Sequence, residues 1–317
     1  MQMLRNQGRG LVGVTALLVL AVTGVAAQQA PIQQWESPLL RDHPLTGRIY
    51  AVAGKQWIAP EALVDSLRPA RYVLIGEKHD NPDHHHLERW LVERLAATHK
   101  GLVFEMLDES QQGGVASLTP RDSLDQIRQK LAWPEKGWDF AMYGPVIQAG
   151  LERGMQIGAG NPSHDEIMDI YGRGEPALAG NSRFSTASSI SPDVASHLLD
   201  EIYESHCKVQ PKTELGPMVN VQAAKDASMA HELAGFPSAV LITGEGHADL
   251  VAGVPTHLHR LVPDARIRVV QIEEVSDSGS TPDWYKDVLP RGDFVWFTPK
   301  LTDKDYCEGV KSLRKQQ

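Results

Sequence analysis

Short apolar runs recur along the chain at intervals that suit alternating strands and helices. RYVLIG at 71–76, LVFEM at 102–106, MQIGAG at 155–160, SAVLITG at 238–244, RIRVVQIEEV at 266–275 and FVWFT at 294–298 read as strands. GRIYAVAGKQWIAPEALVDSL reads as a small strand pair followed by a helix from about Pro60. After RYVLIG, Asn81-Pro82 marks a helix start, because Asn caps orphan amides and Pro at the first position has no N–H to leave unpaired. Leu87, Trp90, Leu91 and Leu95 then repeat at helical spacing. Strand, helix, strand in this order predicts an α/β fold with a mostly parallel sheet flanked by helices. Residues 107–235 exceed a simple crossover. They carry the helical stretches RDSLDQIRQKLAW, FAMYGPVIQAGLERG, SPDVASHLLDEIYESH and NVQAAKDASMAHELAG, and predict an inserted helical subdomain. Within it the strand at 155–160 returns to the sheet, and Pro162 and the run 173–192 mark a loop.

The ends read differently. Residues 1–27 have the layout of a secretory signal. Arg5 and Arg9 precede an apolar run at 11–25, and Val25-Ala26-Ala27 offers small residues before a cut. The run is short for a membrane span, which takes about 20 residues. The alternative is an uncleaved anchor. Residues 28–45 read as a flexible lead-in, and residues 46–317 as the α/β domain. Export makes the protein periplasmic if its source is a Gram-negative bacterium. The net charge is −9, and losing Arg5 and Arg9 takes it two units lower. An acidic exported chain is a poor partner for nucleic acid or anionic lipid, and no membrane span is expected after signal removal. The two cysteines, Cys207 and Cys307, either bridge in an oxidising compartment or remain separate thiols. Their number excludes a four-cysteine zinc site.

The chemistry concentrates past the strand ends. GEKHDNPDHHH at 76–86 puts Glu77 and His79 in the loop after the first main strand. Helical rotation places His84 on the sheet-facing side, His86 on the flank and His85 pointing away to solvent. Glu105 lies inside LVFEM, where a carboxylate is costly unless paired or coordinated. Asn161 follows GAG, and His247 ends ITGEGH. Four strands thus deliver polar groups at their carboxyl ends, the edge where open parallel sheets bind ligands. His79, Glu105 and His247, supported by Glu77, suit either a divalent transition metal or general acid/base work. Glu245 is expected to face water, and His257 and His259 to be surface histidines. Gln222, Asp226 and Met229, spaced i, i+4, i+7, share a helix face that either reaches the crevice or forms a buried boundary. No G-x-S-x-G, H-E-x-x-H or G-x-x-x-x-G-K-[ST] pattern competes.

VLIGEKHDNPDHHHLERWL, LVFEML, IGAGNPS, VQAAKDASMAHEL, LITGEGHADLVAGVPTHL and DFVWFTP, in this order over roughly residues 70–298, resemble the ChaN-like haem-binding uptake family of the Tiki superfamily. The resemblance implies a parallel α/β core with a helical subdomain, in an exported bacterial protein tied to haem or iron uptake. It implies haem as cofactor, held through a tyrosine, with paired haems at a homodimer interface. Tyr143, which opens a helix of the subdomain, is the best-placed tyrosine, ahead of Tyr171, Tyr203 and Tyr285. His84, Asn161, Gln222 and Asp226 join it as candidate cofactor contacts, with apolar support from Trp133, Trp138, Phe140 and Met142. The family's founding members resemble lipoproteins, whereas this chain lacks the acceptor cysteine after its apolar run. The wider superfamily is similar to Tiki metal-dependent proteases and erythromycin esterases. That likeness implies a hydrolase site at Glu77, His79, Glu105 and His247.

Overall fold

A computed structural model describes residues 31, 32, 34–277 and 281–308; the predicted signal segment lies outside them. The strands are β1 (Ile49–Ala51), β2 (Gln56–Ile58), β3 (Tyr72–Glu77), β4 (Gly101–Asp108), β5 (Gln156–Asn161), β6 (Ala239–Gly244), β7 (Ile267–Glu274) and β8 (Phe294–Thr298). The helices are α1 (Pro60–Leu67), α2 (Pro82–Leu95), α3 (Gln112–Ala116), α4 (Leu124–Lys130), α5 (Phe140–Glu152), α6 (His164–Arg173), α7 (Glu175–Leu178), α8 (Pro192–Ser205), α9 (Gly216–Ala234) and α10 (Val254–Leu261). One sheet runs β2-β1-β8-β7-β3-β6-β4-β5. The six strands from β8 to β5 are parallel, and the β1–β2 hairpin closes one edge antiparallel. The α/β class expected from the sequence is therefore the observed one.

Period-two alternation divides the central strands between two cores. Val73 and Ile75 of β3 face the layer of α1, α2 and α5, while Tyr72 and Leu74 face α9 and α10. Leu87, Leu91 and Leu95 of α2 are fully buried, and each contributes about 1.5–3 kcal/mol. Asn81 caps α2 by accepting from the Asp83 amide at 3.0 Å, with Pro82 at the first position.

Two sequence expectations change. Residues 34–45 are not a loose lead-in. Asp83 accepts the Glu36 and Ser37 amides at 2.8 and 2.9 Å, and Ser37 is buried. The polar residues of this segment are spent on the capping turn of α2, which a pattern of polarity and proline does not reveal. The 107–235 region also divides. Ile127, Trp133, Phe140 and Tyr143 join the sheet core, whereas Ile170, Phe184, Leu198, Ile202 and Leu215 form a satellite helical core. Helix α9 bridges the two cores, its Met229 and Leu233 packing on the sheet and its Val219 and Ala223 on the satellite.

His257 is buried rather than a surface residue, because α10 turns it beneath the satellite core, where its Nδ1 lies 2.8 Å from Thr186 Oγ1. His259 is exposed, as expected. Burial, and then the charge of Arg260, pushes the His257 pKa down to about 4. The unfolded chain takes up this proton near pH 6.5 and the folded one only near 4. Its contribution to stability is therefore complete above about pH 6.5 and falls by roughly 3 kcal/mol as pH drops toward 4. Urea unfolding of wild type and His257→Gln across this range should show the slope shrinking by about that amount in the variant.

Candidate functional site

The polar groups past the strand ends converge on a cavity of about 970 Å³, lined among others by Glu77, His79, Glu105, Gln222, Gly244 and His247. Parallel register explains the convergence. Glu77 of β3 pairs with Gly244 of β6, and Phe104 of β4 pairs with Ile242, so Glu105 comes level with Thr243.

Two hydrogen-bonded groups flank the cavity. In the first, the Tyr143 hydroxyl donates to Glu77 Oε1 at 2.7 Å, and His79 Nδ1 lies 2.8 Å from the same oxygen. With Nδ1–H turned to the carboxylate, His79 Nε2 carries the free lone pair of the neutral ring. The ring approaches the β6 backbone because Gly244 has no side chain; a Cβ there would meet Nε2 at 2.8 Å. Trp138 packs edge-on at 4.7 Å and fixes the ring's tilt. Burial lowers the His79 pKa, but the hydrogen bond and charge of Glu77 outweigh it, so the group ends raised. Glu77 is itself raised, by burial and then by Glu88.

The second group runs Glu105–His247–Asp226. Glu105 Oε1 lies 3.2 Å from His247 Nε2, and Asp226 Oδ1 lies 2.6 Å from His247 Nδ1. Thr243 Oγ1 and the Gly244 amide donate to Glu105 Oε2 at 2.8 and 2.9 Å. A ring between two carboxylates donates to both only when doubly protonated. Burial opposes that charge, but Glu105 and then Asp226 raise the His247 pKa to about 10. Burial alone would raise Glu105; His247 instead holds it well below the usual carboxylate range. Gln222 lies over the same ring, its amide 3.0 Å from Nδ1, and the Thr243 hydroxyl lies 3.6 Å from Met229 Sδ. The Gln222–Asp226–Met229 face of α9 therefore reaches the site.

Other candidates sit elsewhere. His84 is buried behind the loop, with Nδ1 accepting the Lys78 amide at 3.0 Å and Nε2 lying 2.8 Å from Thr298 Oγ1. Burial and then His85 push its pKa well below the usual value, so it pins the loop as a neutral ring and does not line the cavity. Asn161 gives its backbone carbonyl to Arg183 at 3.4 Å and lies off the cavity wall. Tyr143 is fully buried beneath Glu77, and burial raises its hydroxyl pKa. Its oxygen is engaged and does not face the cavity. Trp133 and Phe140 are core residues and Met142 packs against that core; none of the three lines the cavity. His85, expected to be solvated, is buried between Glu77 and Glu88, because α2 turns that face toward α5 and Tyr143. Glu245 is exposed, as expected.

His79, Glu105 and His247 do not form a ready metal site. Both Glu105 oxygens and both His247 nitrogens are already spent on each other, on Asp226, on Thr243 and on Gly244. Among the described residues, the groups that bring three ligand atoms together are Glu77, His85 and Glu88, and His197, Glu201 and Asp249. Sequence reasoning missed both. Their signal was the i, i+3 pair His85/Glu88 and the i, i+4 pair His197/Glu201, which read as ordinary helix surface. In the second group Arg291 reaches Glu201 and lies 3.5 Å from Asp249, already supplying a cation.

A solved structure of ChaN of Campylobacter jejuni, described as binding haem cofacially, is similar in fold, with a TM-score of 0.65 at 23% identity over 78% of this chain and 95% of that one. A mutant of the erythromycin esterase EreC in its open conformation is a looser match, with a TM-score of 0.42 at 11% identity over 78% and 95% of the two chains. That likeness is too distant to carry an argument. No curated protein matches the chain. The model of the family described as haem-binding uptake, Tiki superfamily, ChaN matches residues 63–258, more than half of the 317, and spans every strand that feeds the cavity from β3 to β6. The chain belongs to the ChaN haem-binding uptake family of the Tiki superfamily.

Proposed function

We propose that this protein is an exported haem-binding protein of haem or iron uptake, with His79 as the axial ligand. The family match across the cavity-forming segments carries the reading. The residues present suit such a group. His79 Nε2 is an uncommitted imidazole nitrogen whose other nitrogen is oriented by a carboxylate, the arrangement that fixes a ligating histidine and raises its basicity. Lys286 places a cation on the wall for a carboxylate substituent, and Val251, exposed above Leu198 and Ile202, offers apolar surface to a macrocycle. Bound haem supplies an iron that accepts such an axial donor. Tyr143 supports the site from below, holding Glu77 rather than the iron. A bridge between Cys207 and Cys307 supports export, because disulfides persist in oxidising compartments. The pairing of two copies around haem belongs to the same reading.

Haem titrated into the full chain should give a saturable Soret change, with a shift toward dimer by light scattering. His79→Ala should weaken binding by at least about tenfold, or 1.4 kcal/mol. A wild-type protein with no spectral change at stoichiometric haem would sink the reading. Because Glu77 raises the His79 pKa, affinity should fall as pH drops through that value and the nitrogen is protonated.

A second reading rests on the Glu105–His247–Asp226 run. Both N–H groups of the His247 imidazolium are given to Glu105 and Asp226, so the run is a fixed polar wall of the cavity, and His79 Nε2 beside it is the exchangeable base. It predicts a hydrolase acting by acid/base chemistry. Ester or peptide hydrolysis by wild type, abolished in His79→Ala, is its mark.

A further inference from the structure

Behind the cavity, Glu77, His85 and Glu88 bring two carboxylates and an imidazole within 4.8 Å of one another. His85 Nδ1 lies 3.0 Å from Glu88 Oε2, and His85 Nε2 lies 3.5 Å from Glu77 Oε2 and 3.1 Å from the His79 carbonyl. Glu77, His85 and Glu88 are 1%, 4% and 0% exposed, so bulk solvent reaches neither carboxylate. Two oxygens in this pocket, Glu77 Oε2 and Glu88 Oε1, have no hydrogen-bond partner among the described residues. Buried carboxylate oxygens left unpaired cost roughly 1–3 kcal/mol each, and more when charged. The surroundings do not supply the missing donors. Tyr143 presents its ring edge to His85 at 4.6 Å and gives its hydroxyl to Glu77 Oε1, leaving Oε2 open.

We propose that Glu77, His85 and Glu88 form a buried divalent-cation site, with the His79 carbonyl as a neighbouring oxygen donor. Two carboxylates and one imidazole match a small first-row ion such as zinc or manganese. The ion offsets the two negative charges and occupies both open oxygens. It also braces Glu77, whose other oxygen holds His79 and Tyr143. The site lies behind the cavity and shares Glu77 with its wall.

The experiment uses the full chain, purified without chelator, then stripped with EDTA and titrated with zinc chloride and, separately, manganese chloride. Elemental analysis should find close to one equivalent of one of these ions before stripping. Adding that ion back should raise the melting temperature. Glu88→Gln keeps the side chain's shape while removing its charge, and should weaken binding of the added ion by about tenfold or more, with an unchanged circular dichroism spectrum. His197→Ala should retain the ion. Substoichiometric metal with no thermal response overturns the proposal and leaves a proton shared between the two carboxylates as the compensation. Undiminished binding in Glu88→Gln, or binding lost instead in His197→Ala, overturns it as well. Haem binding is read separately from the Soret band, so failure of either assignment is visible without the other.

Discussion

Glu105→Gln should destabilise the protein by about 3–5 kcal/mol, although it changes neither the size nor the shape of the side chain. That is the range for removing one partner of a buried ion pair. Glu105 is 3% exposed and sits between His247 and the donors Thr243 and Gly244. A neutral amide can still accept from those two donors. It cannot compensate an imidazolium, so His247 is left with Asp226 alone or must lose its proton. The pH dependence separates charge from packing. The His247 pKa is raised to about 10 in the folded protein, against about 6.5 unfolded. A raised histidine contributes stability that is complete below about pH 6.5 and is lost as pH rises through 10. Wild type should therefore lose stability along this alkaline limb, and Glu105→Gln should show a much shallower one. The double variant Glu105→Gln with His247→Gln should be less destabilised than the sum of its parts. An unfolding free energy from urea titration within about half a kcal/mol of wild type, or an unchanged alkaline limb, would remove the ion-pair account.

Reducing the Cys207–Cys307 bridge should lower stability by about 5 kcal/mol. The bridge spans a sequence separation of 100 residues, and the loop-closure entropy withheld from the unfolded chain grows with the logarithm of that length. For a domain of this size the loss amounts to a fall in melting temperature of roughly 10 °C. Cys207→Ser should reproduce the effect without reductant. The consequence is also local. Cys307 follows Tyr306, whose hydroxyl donates to Asp80 at 2.5 Å in the turn after His79. Releasing the tail should raise hydrogen exchange in residues 78–83 along with the tail itself. A melting temperature that does not respond to dithiothreitol would show that the bridge adds nothing to global stability.

The strands and α2 were legible in the sequence because their information is local. Apolar runs of five to ten residues, an Asn-Pro cap and leucines at helical spacing state their own geometry. Even the convergence of Glu77, His79, Glu105 and His247 follows from a rule about strand ends in parallel sheets. Partner identity did not follow. His84, His85 and His86 are consecutive, yet one pins Thr298, one sits between two glutamates and one meets Glu36 at the surface. The periodicity of α2 states which residues share a face, not what covers that face. α5 packs across that helix and buries His85 against Tyr143. His257 failed for the same reason, since its cover comes from Thr186, 71 positions away.

By itself, the sequence determined the α/β architecture, the edge of the sheet where polar groups collect and the family to which the chain belongs. Each is encoded in short windows whose periodicity or motif survives any arrangement of the rest. Only the tertiary structure decided that the lead-in packs on the α2 cap, that the two cysteines bridge, that Tyr143 serves Glu77, and that His85 and Glu88 face inward. Those outcomes depend on which distant side chain supplies a hydrogen bond or excludes water. That choice belongs to the packing of separate elements, because a buried polar group's cost is set by the partners brought to it and not by its own neighbours in the chain.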